Sequence, residues 1–299
     1  MCGIVGLFLK DPTLEQYLGR FTAAMLSTMT DRGPDSAGFA VYGKGQPQAL
    51  KLTLRGPVPT DFNALAADLA QAAGDRIPVV QHDDHAVLTI PARQEQAVRE
   101  ALGTQAPQVS VVGAGCRMEL YKGVGLPQDV TGRLGLADMS GTHAIGHTRM
   151  ATESAVTTAG AHPFSTGPDQ CLVHNGSLSN HNGVRRTMQR EGIAFETDND
   201  TEVAARYLSW RMRQGARLDE ALHAGLVDLD GFYTFVIGTE SGFGVVRDPV
   251  ACKPAVIAET DRYVAFGTEY RALVDLPGIE DAHVLEPEPA RVYFWERRS

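Results

Sequence analysis

The first candidate for chemistry in this sequence is a cysteine at position 2, directly before the apolar run GIVGLFL. If Met1 is removed, Cys2 carries a free α-amine, whose pKa of about 7.7–8.0 leaves part of it unprotonated near neutral pH. That amine can accept the thiol proton, so one residue can supply both a nucleophile and its base. The alternative is a small buried side chain in a strand, which position alone favours. The chemical hypothesis requires that a protein retaining Met1 be inactive.

Three further clusters hold side chains that can bind parts of an amino acid. Arg149 lies in GHTRMAT, and its guanidinium can hold a carboxylate through two hydrogen bonds. Asn175 and Gly176 lie in LVHNGSLSN, where a side-chain NH2 and a closely approaching backbone N–H can form an oxyanion hole. Asp200 lies in ETDNDTE, at the predicted start of a helix, and can bind an ammonium group. Each cluster has an ordinary alternative: a surface ion pair, an Asn-Gly turn and a helix N-cap, respectively.

Taken together, the four clusters contain every part of an amide-cleaving site. They offer a nucleophile, its base, oxyanion donors, a group for an α-carboxylate and a group for an α-ammonium. This set fits an enzyme that cleaves the side-chain amide of a free amino acid, which indicates L-glutamine as the substrate. The chemistry needs neither a metal nor a cofactor.

Composition narrows the class of protein. The chain has 299 residues, of which 43% are hydrophobic and 21% charged, and its net charge is −9. These values are typical of a globular enzyme, and the acidity without a Lys/Arg cluster argues against nucleic acid or an anionic membrane as partner. No apolar stretch reaches the ~20 residues that span a bilayer, and the N-terminus does not resemble a signal peptide, so we expect a cytoplasmic protein. Four cysteines without CxxC spacing argue against disulfides and zinc.

The elements predicted in the first half position Cys2 at the tip of a buried strand. CGIVGLFL is that strand, a helix follows with apolar residues at helical spacing up to Met29, and AGFAVYG is a second strand. Residues 48–121 have the predicted order β-α-β-β-α-β of a ferredoxin-like unit, and we treat them as an inserted subdomain. HDDH (82–85) lies between its middle strands and is predicted to be a solvated hairpin turn rather than a metal site.

In the second half, the predicted elements place the binding residues at boundaries. Arg149 falls in a block rich in turn and polar residues, THAIGHTRMATES, and Asn175 lies where a strand runs into a loop. Helices are predicted over 200–214 and at about 218–229, and antiparallel strands follow from Gly231 onward.

The motifs MCGIVGLF, DRGPDSAG, GHTRMAT, VHNGSLSN and NDTEV, in this order, resemble the class II glutamine amidotransferases, which are N-terminal-nucleophile hydrolases. RDPVACKPAV and YVAFGTE resemble the closing strands of that family. The resemblance implies an α+β fold, a four-layer αββα sandwich, formed by 2–299 and interrupted by the insertion at 48–121. It implies these roles: Cys2 as nucleophile, Asn175 and Gly176 as oxyanion hole, Arg149 and Thr152 as carboxylate site, Asp200 as amino-group site, and Arg32 and Gly33 as pocket lining.

The chain departs from the family at one motif and ends soon after the amidotransferase domain. Glucosamine-phosphate-type members have Trp-Ala-Thr-His after the arginine, where this chain has Met150-Ala151-Thr152-Glu153. MELYKGVGLPQDV resembles stand-alone amidotransferase subunits of the glutamate-synthase and N-methylglutamate-synthase type, whose partners carry flavin and iron–sulfur chemistry. We therefore expect a hetero-oligomer that passes ammonia to a synthase subunit. The alternatives are another N-terminal-nucleophile amidohydrolase and a non-catalytic regulatory subunit that retains the fold.

Overall fold

The computed structural model describes residues 2–151 and 155–297. Within these ranges the strands are β1 (Gly3–Leu9), β2 (Ser36–Tyr42), β3 (Ala49–Arg55), β4 (Val79–His82), β5 (His85–Pro91), β6 (Ser110–Gly115), β7 (Met118–Val124), β8 (His143–Arg149), β9 (Phe164–Gly167), β10 (Gln170–Leu178), β11 (Gly231–Gly238), β12 (Gly242–Arg247), β13 (Val256–Glu259), β14 (Tyr263–Gly267), β15 (His283–Leu285) and β16 (Val292–Glu296). The α-helices are α1 (Leu18–Ser27), α2 (Phe62–Ala73), α3 (Glu95–Gln105), α4 (Pro127–Arg133), α5 (His181–Arg190), α6 (Asp200–Arg213) and α7 (Leu218–Asp228).

Strand β1 is buried on both faces, which explains its continuous apolar sequence. It pairs antiparallel with β8 on one side and with β14 on the other. Val5 and Leu7 belong to the core cluster that includes α1, whereas Ile4 and Phe8 belong to the core between the two large sheets. Cys2 directly precedes this anchored strand.

Two antiparallel sheets form the centre of the molecule. The first has seven strands in the order β15-β13-β14-β1-β8-β2-β7, and the second has five in the order β16-β12-β11-β10-β9. Helices α1 and α4 pack against the first sheet, and α5, α6 and α7 belong to the hydrophobic cluster on the outer face of the second. This is a four-layer αββα sandwich, so the predicted α+β fold is confirmed.

The insertion forms a third sheet with its own hydrophobic core. Its four strands have the antiparallel order β4-β5-β3-β6, which is the ferredoxin-like arrangement, and helices α2 and α3 share its apolar cluster. These elements run from Ala49 to Gly115, and β7, at 118–124, pairs with β2 of the seven-stranded sheet. The limits 48 and 121 for the insertion remain a prediction.

Three local predictions differ from the structure. The block around GHTRMAT was predicted to be turn-rich, but His143–Arg149 is the fully buried strand β8, flanked by β1 and β2. On its inner face His143 and His147 hydrogen-bond to the Thr239 carbonyl, just after β11, and to the His174 carbonyl of β10. Asn175 lies inside β10 rather than at its end, since β10 continues to Leu178. Helix α5, which buries only Met188, was not predicted.

The hairpin prediction for 82–85 is confirmed, but the turn is not solvated throughout. Asp83, with a φ of 50°, turns the chain between β4 and β5. Asp84 and His85 are buried and hydrogen-bonded to each other. In the described part of the chain, no group of three or more His, Cys, Asp or Glu is arranged to hold a metal ion. No helix of the described residues has the length and apolar character needed to cross a membrane.

Candidate active site

Cys2 lies where the two large sheets approach each other. Its carbonyl oxygen accepts a hydrogen bond from Asn175 Nδ2 of the five-stranded sheet at 3.2 Å. It accepts a second from Arg32 Nε at 3.1 Å. The next residue, Gly3, packs so closely that a Cβ there would lie 2.8 Å from Met29 Cβ and from Thr148 Oγ1. The backbone of the candidate nucleophile is therefore held from both sheets.

The thiol of Cys2 is in a mixed electrostatic environment. Burial raises its pKa, while a hydrogen bond with the Met150 backbone and the positive charges of Arg149 and Lys253 act in the opposite direction. Cys2 as a whole remains partly exposed. A thiol whose pKa is raised needs a neighbouring base to become a nucleophile at neutral pH.

Arg32 and Gly33 connect the candidate nucleophile to its surroundings. The guanidinium of Arg32 forms an ion pair with Glu269, just after β14. A Cβ at Gly33 would lie 2.4 Å from the Thr148 carbonyl carbon, so only glycine permits this approach to β8. Glu269 was not singled out in the sequence, although it closes the motif YVAFGTE. Burial alone would raise the pKa of Glu269, but the hydrogen bond and the charge of Arg32 lower this pKa by a larger amount. The net shift of the pKa is therefore downward.

Asn175 and Gly176 are adjacent in β10, opposite Thr234 and Tyr233 of β11. The φ of Gly176 is +152°, and a Cβ there would lie 2.0 Å from the Phe232 carbonyl oxygen. Glycine is thus required at this position by both the backbone angle and the available space. Asn175 and Cys2 are 173 residues apart in sequence, and they meet because the two large sheets pack against each other.

Arg149 is the last residue of β8 and is 6% exposed. Its Nη1 donates a hydrogen bond to the Ala155 carbonyl at 3.4 Å. It also lies 3.5 Å from the position that a Cβ on Gly160 would occupy, so the guanidinium lies against the segment 155–161. Thr152, the second predicted carboxylate ligand, lies outside the described residues.

Asp200 is the first residue of α6 and is not its N-cap. Asn199 is the N-cap, since its side chain accepts a hydrogen bond from the Thr201 N–H at 2.8 Å. Asp200 Oδ2 accepts from the Leu178 N–H at 2.9 Å, and Oδ1 lies 3.6 Å from His174 Nδ1. Burial raises the pKa of Asp200, but the interaction with His174 and the backbone hydrogen bond lower it to about 2. The carboxylate is therefore ionised at neutral pH, as an ammonium site requires.

Three buried histidines beneath these residues were not singled out in the sequence. His147 of β8 has its Nε2 2.9 Å from the His174 carbonyl of β10. His162 Nε2 lies 2.6 Å from Thr201 Oγ1, and His174 Nδ1 lies 3.0 Å from the same hydroxyl. Burial lowers the pKa of His147 to about 3, so this ring is neutral at pH 7. The histidines link the strands and the helix that carry Arg149, Asn175 and Asp200.

Comparison with known proteins identifies relatives over the whole chain. A family model described as a glutamine amidotransferase domain matches residues 147–275. Over 300 residues the chain is 62% identical to the glutamine amidotransferase-like protein GlxB of Rhizobium meliloti, covering 100% of this chain and 99% of that protein. Over 138 residues it is 33% identical to the glutamine–fructose-6-phosphate aminotransferase (isomerizing) of Vibrio vulnificus, covering 46% of this chain and 22% of that enzyme.

Among solved structures, the chain resembles the glutamine phosphoribosylpyrophosphate amidotransferase from B. subtilis, complexed with ADP and GMP. The TM-score is 0.63 at 20% sequence identity, and the match covers 99% of this chain and 47% of that chain. A second match, the allosteric regulatory enzyme of purine biosynthesis, has a TM-score of 0.65, also at 20% identity and with the same coverage. The chain spans about half the length of these two solved chains, and the likeness shows a shared fold.

Proposed function

The chain belongs to the class II glutamine amidotransferases, and from that premise we propose that it hydrolyses L-glutamine to L-glutamate and ammonia through a γ-glutamyl thioester on Cys2. The contact between Asn175 Nδ2 and the Cys2 carbonyl carries this proposal. It holds an amide donor against the backbone of the residue that would attack, and an amide NH2 has a second hydrogen available for a developing oxyanion.

The reaction begins with transfer of the thiol proton to the α-amine of mature Cys2. The sulfur attacks the side-chain carbonyl carbon of glutamine, and Asn175 with the Gly176 N–H stabilises the oxyanion of the tetrahedral intermediate. The carbon–nitrogen bond breaks, the amine returns its proton to the leaving nitrogen, and ammonia departs. Water then hydrolyses the thioester, which releases glutamate and restores the thiol.

Two charged groups hold the ends of the amino acid in this proposal. The Arg149 guanidinium binds the α-carboxylate, together with Thr152. The ionised carboxylate of Asp200 binds the α-ammonium. Arg32 and Gly33 line the pocket and support the backbone of Cys2. Recognition of both α-groups favours glutamine over other γ-glutamyl or acyl amides.

Glutamine analogues test this recognition. We expect 4-aminobutanamide, which lacks the α-carboxylate, and glutaramate, which lacks the α-amine, each to lose about 10²-fold in kcat/KM, since each loses a charge-assisted contact. Asp200→Asn should lower kcat/KM for glutamine by about 10-fold or more and leave that for glutaramate unchanged. Initial rates of ammonia release by the wild type and by Asp200→Asn measure these effects with the three amides.

The matched control is Asp198→Asn, because Asp198 is an exposed carboxylate two residues before Asp200. Asp198→Asn should leave kcat/KM unchanged for both glutamine and glutaramate. Equal turnover of glutamine and the two analogues would contradict the proposal and favour a different N-terminal-nucleophile amidohydrolase. Absence of turnover with every amide would favour a regulatory subunit that retains the fold.

We place the chain in the cytoplasm as the amidotransferase subunit of a hetero-oligomer, in which ammonia passes to a synthase subunit of glutamate-synthase-like or N-methylglutamate-synthase-like type. Flavin and iron–sulfur chemistry would reside on that partner. The resemblance of MELYKGVGLPQDV to such subunits supports this assignment. Purification of the tagged protein from its native cell should recover a flavin- or iron–sulfur-containing synthase subunit, and a strictly solitary protein would contradict the assignment.

A further inference from the structure

Lys122 of β7 is a buried cation that the proposed mechanism does not use. It is 6% exposed, and no carboxylate of the described residues forms an ion pair with it. Its Nζ donates hydrogen bonds to the Ala159 carbonyl at 3.1 Å and to the Ala161 carbonyl at 3.0 Å, and lies 4.5 Å from the centre of the Phe164 ring. Burying a charge is costly unless hydrogen bonds or an opposite charge compensate it, and for Lys122 the two carbonyls provide that compensation.

The carbonyls that Lys122 binds belong to the segment 155–161, which lies against Arg149. The Arg149 guanidinium donates to the first residue of the segment and lies beside Gly160. The Gly160 carbonyl accepts a hydrogen bond at 3.4 Å from Nδ2 of Asn199, the residue that directly precedes Asp200. The segment therefore contacts Arg149, the candidate ligand of the substrate carboxylate. It also contacts the start of α6, which carries Asp200, the candidate ligand of the substrate ammonium.

The hairpin turn of the insertion contacts the same lysine. His85 Nδ1 donates to Asp84 at 2.8 Å, which leaves Nε2 free to accept a long hydrogen bond of 3.5 Å from the Lys122 N–H. Asp84 in turn accepts from Arg55 Nε at 2.9 Å and from Arg133 Nη1 at 3.3 Å. Burial lowers the pKa of His85, which is consistent with the neutral ring that this arrangement needs. The insertion thus contacts the backbone of the residue whose side chain holds the segment.

We propose that Lys122 is a positioning residue for the α-carboxylate site, and that the inserted subdomain holds it in place through the Asp84–His85 pair. The inference rests on the proposed function. Lys122 fixes the carbonyls of 159 and 161, the segment fixes the guanidinium of Arg149, and Arg149 holds the substrate. The insertion then contributes to glutamine affinity without supplying a group that touches the substrate.

Lys122→Met tests this role, because methionine fills similar volume without a donor. We expect KM for glutamine to rise about tenfold, which corresponds to about 1.4 kcal/mol, with kcat changed less than twofold. Turnover of 4-aminobutanamide should be unchanged, since that amide does not use the carboxylate site. A merely structural lysine would lower the rates for both amides together.

Lys51→Met is the matched control, since Lys51 joins β3 of the insertion to Glu119 of β7 at 2.6 Å without contacting the segment. It should leave KM unchanged. Asp84→Asn weakens the hydrogen bond that orients His85, so it should also raise KM for glutamine. This variant tests the inference if Lys122→Met does not fold. An unchanged KM, or an equal loss with both amides, in an active enzyme overturns this inference alone, whereas an inactive wild-type protein overturns the proposed function with it.

Discussion

Replacing Cys2 with alanine should abolish glutamine hydrolysis and leave the protein folded. Removal of a nucleophile that acts together with its own base typically costs about 10⁴-fold or more in kcat. The fold should persist because Cys2 precedes β1, whose strand pairing begins at Gly3. We expect a change in unfolding free energy below about 1 kcal/mol. Ammonia release and thermal denaturation measure the two effects, and retained turnover would refute the role of Cys2.

A chemical probe locates the nucleophile independently. The glutamine-like electrophile 6-diazo-5-oxo-L-norleucine should form one adduct on Cys2, detected by peptide mass spectrometry. Cys252 is the matched control because it is the exposed free cysteine of this chain within the described residues, so Cys252→Ala should keep full activity and labelling. Protein that retains Met1 should be as inactive as Cys2→Ala, since its sulfur lacks the adjacent α-amine. An adduct on Cys252 alone would place the chemistry elsewhere.

Asn175→Ala should lower kcat by about 10²–10³-fold with little change in KM, as expected for loss of an oxyanion donor. The side chain is 2% exposed, and its Nδ2 lies 3.2 Å from the Cys2 carbonyl. Its contribution should be realised in the transition state, when negative charge develops on the substrate oxygen. Steady-state kinetics with glutamine measure the effect.

The control for this variant is Asn180→Ala, in the loop after β10. Asn180 Nδ2 donates a hydrogen bond to the Asp228 carbonyl at 2.8 Å and does not contact Cys2. The Asn180→Ala variant should therefore lower the free energy of unfolding and leave kcat unchanged. An unchanged kcat in Asn175→Ala would remove Asn175 from the oxyanion role. Equal losses in both variants would indicate general damage to the second sheet.

Much of the fold could be predicted from local sequence patterns. β1 is recognisable because both of its faces are buried and therefore apolar. The order of the insertion is readable because its strands and helices are short amphipathic units with their own core. β8 was missed because its histidines and threonines give a polar sequence that is typical of a loop. Their burial is explained only by long-range hydrogen bonds such as those of His143 and His147. α5 was missed because it buries only Met188, so it has almost no apolar stripe.

The sequence by itself determined the candidate chemistry: a cysteine that can bear its own base, with Arg149, Asn175, Gly176 and Asp200 in the order typical of one family. Only the tertiary structure decided which groups meet. Asn175 reaches Cys2 because two sheets pack face to face, and Asn199 caps α6 so that Asp200 is free of that role. The hold of Lys122 on the segment beside Arg149 depends on long-range packing. Local patterns report burial and element type, whereas contacts between distant segments arise only when the layers assemble.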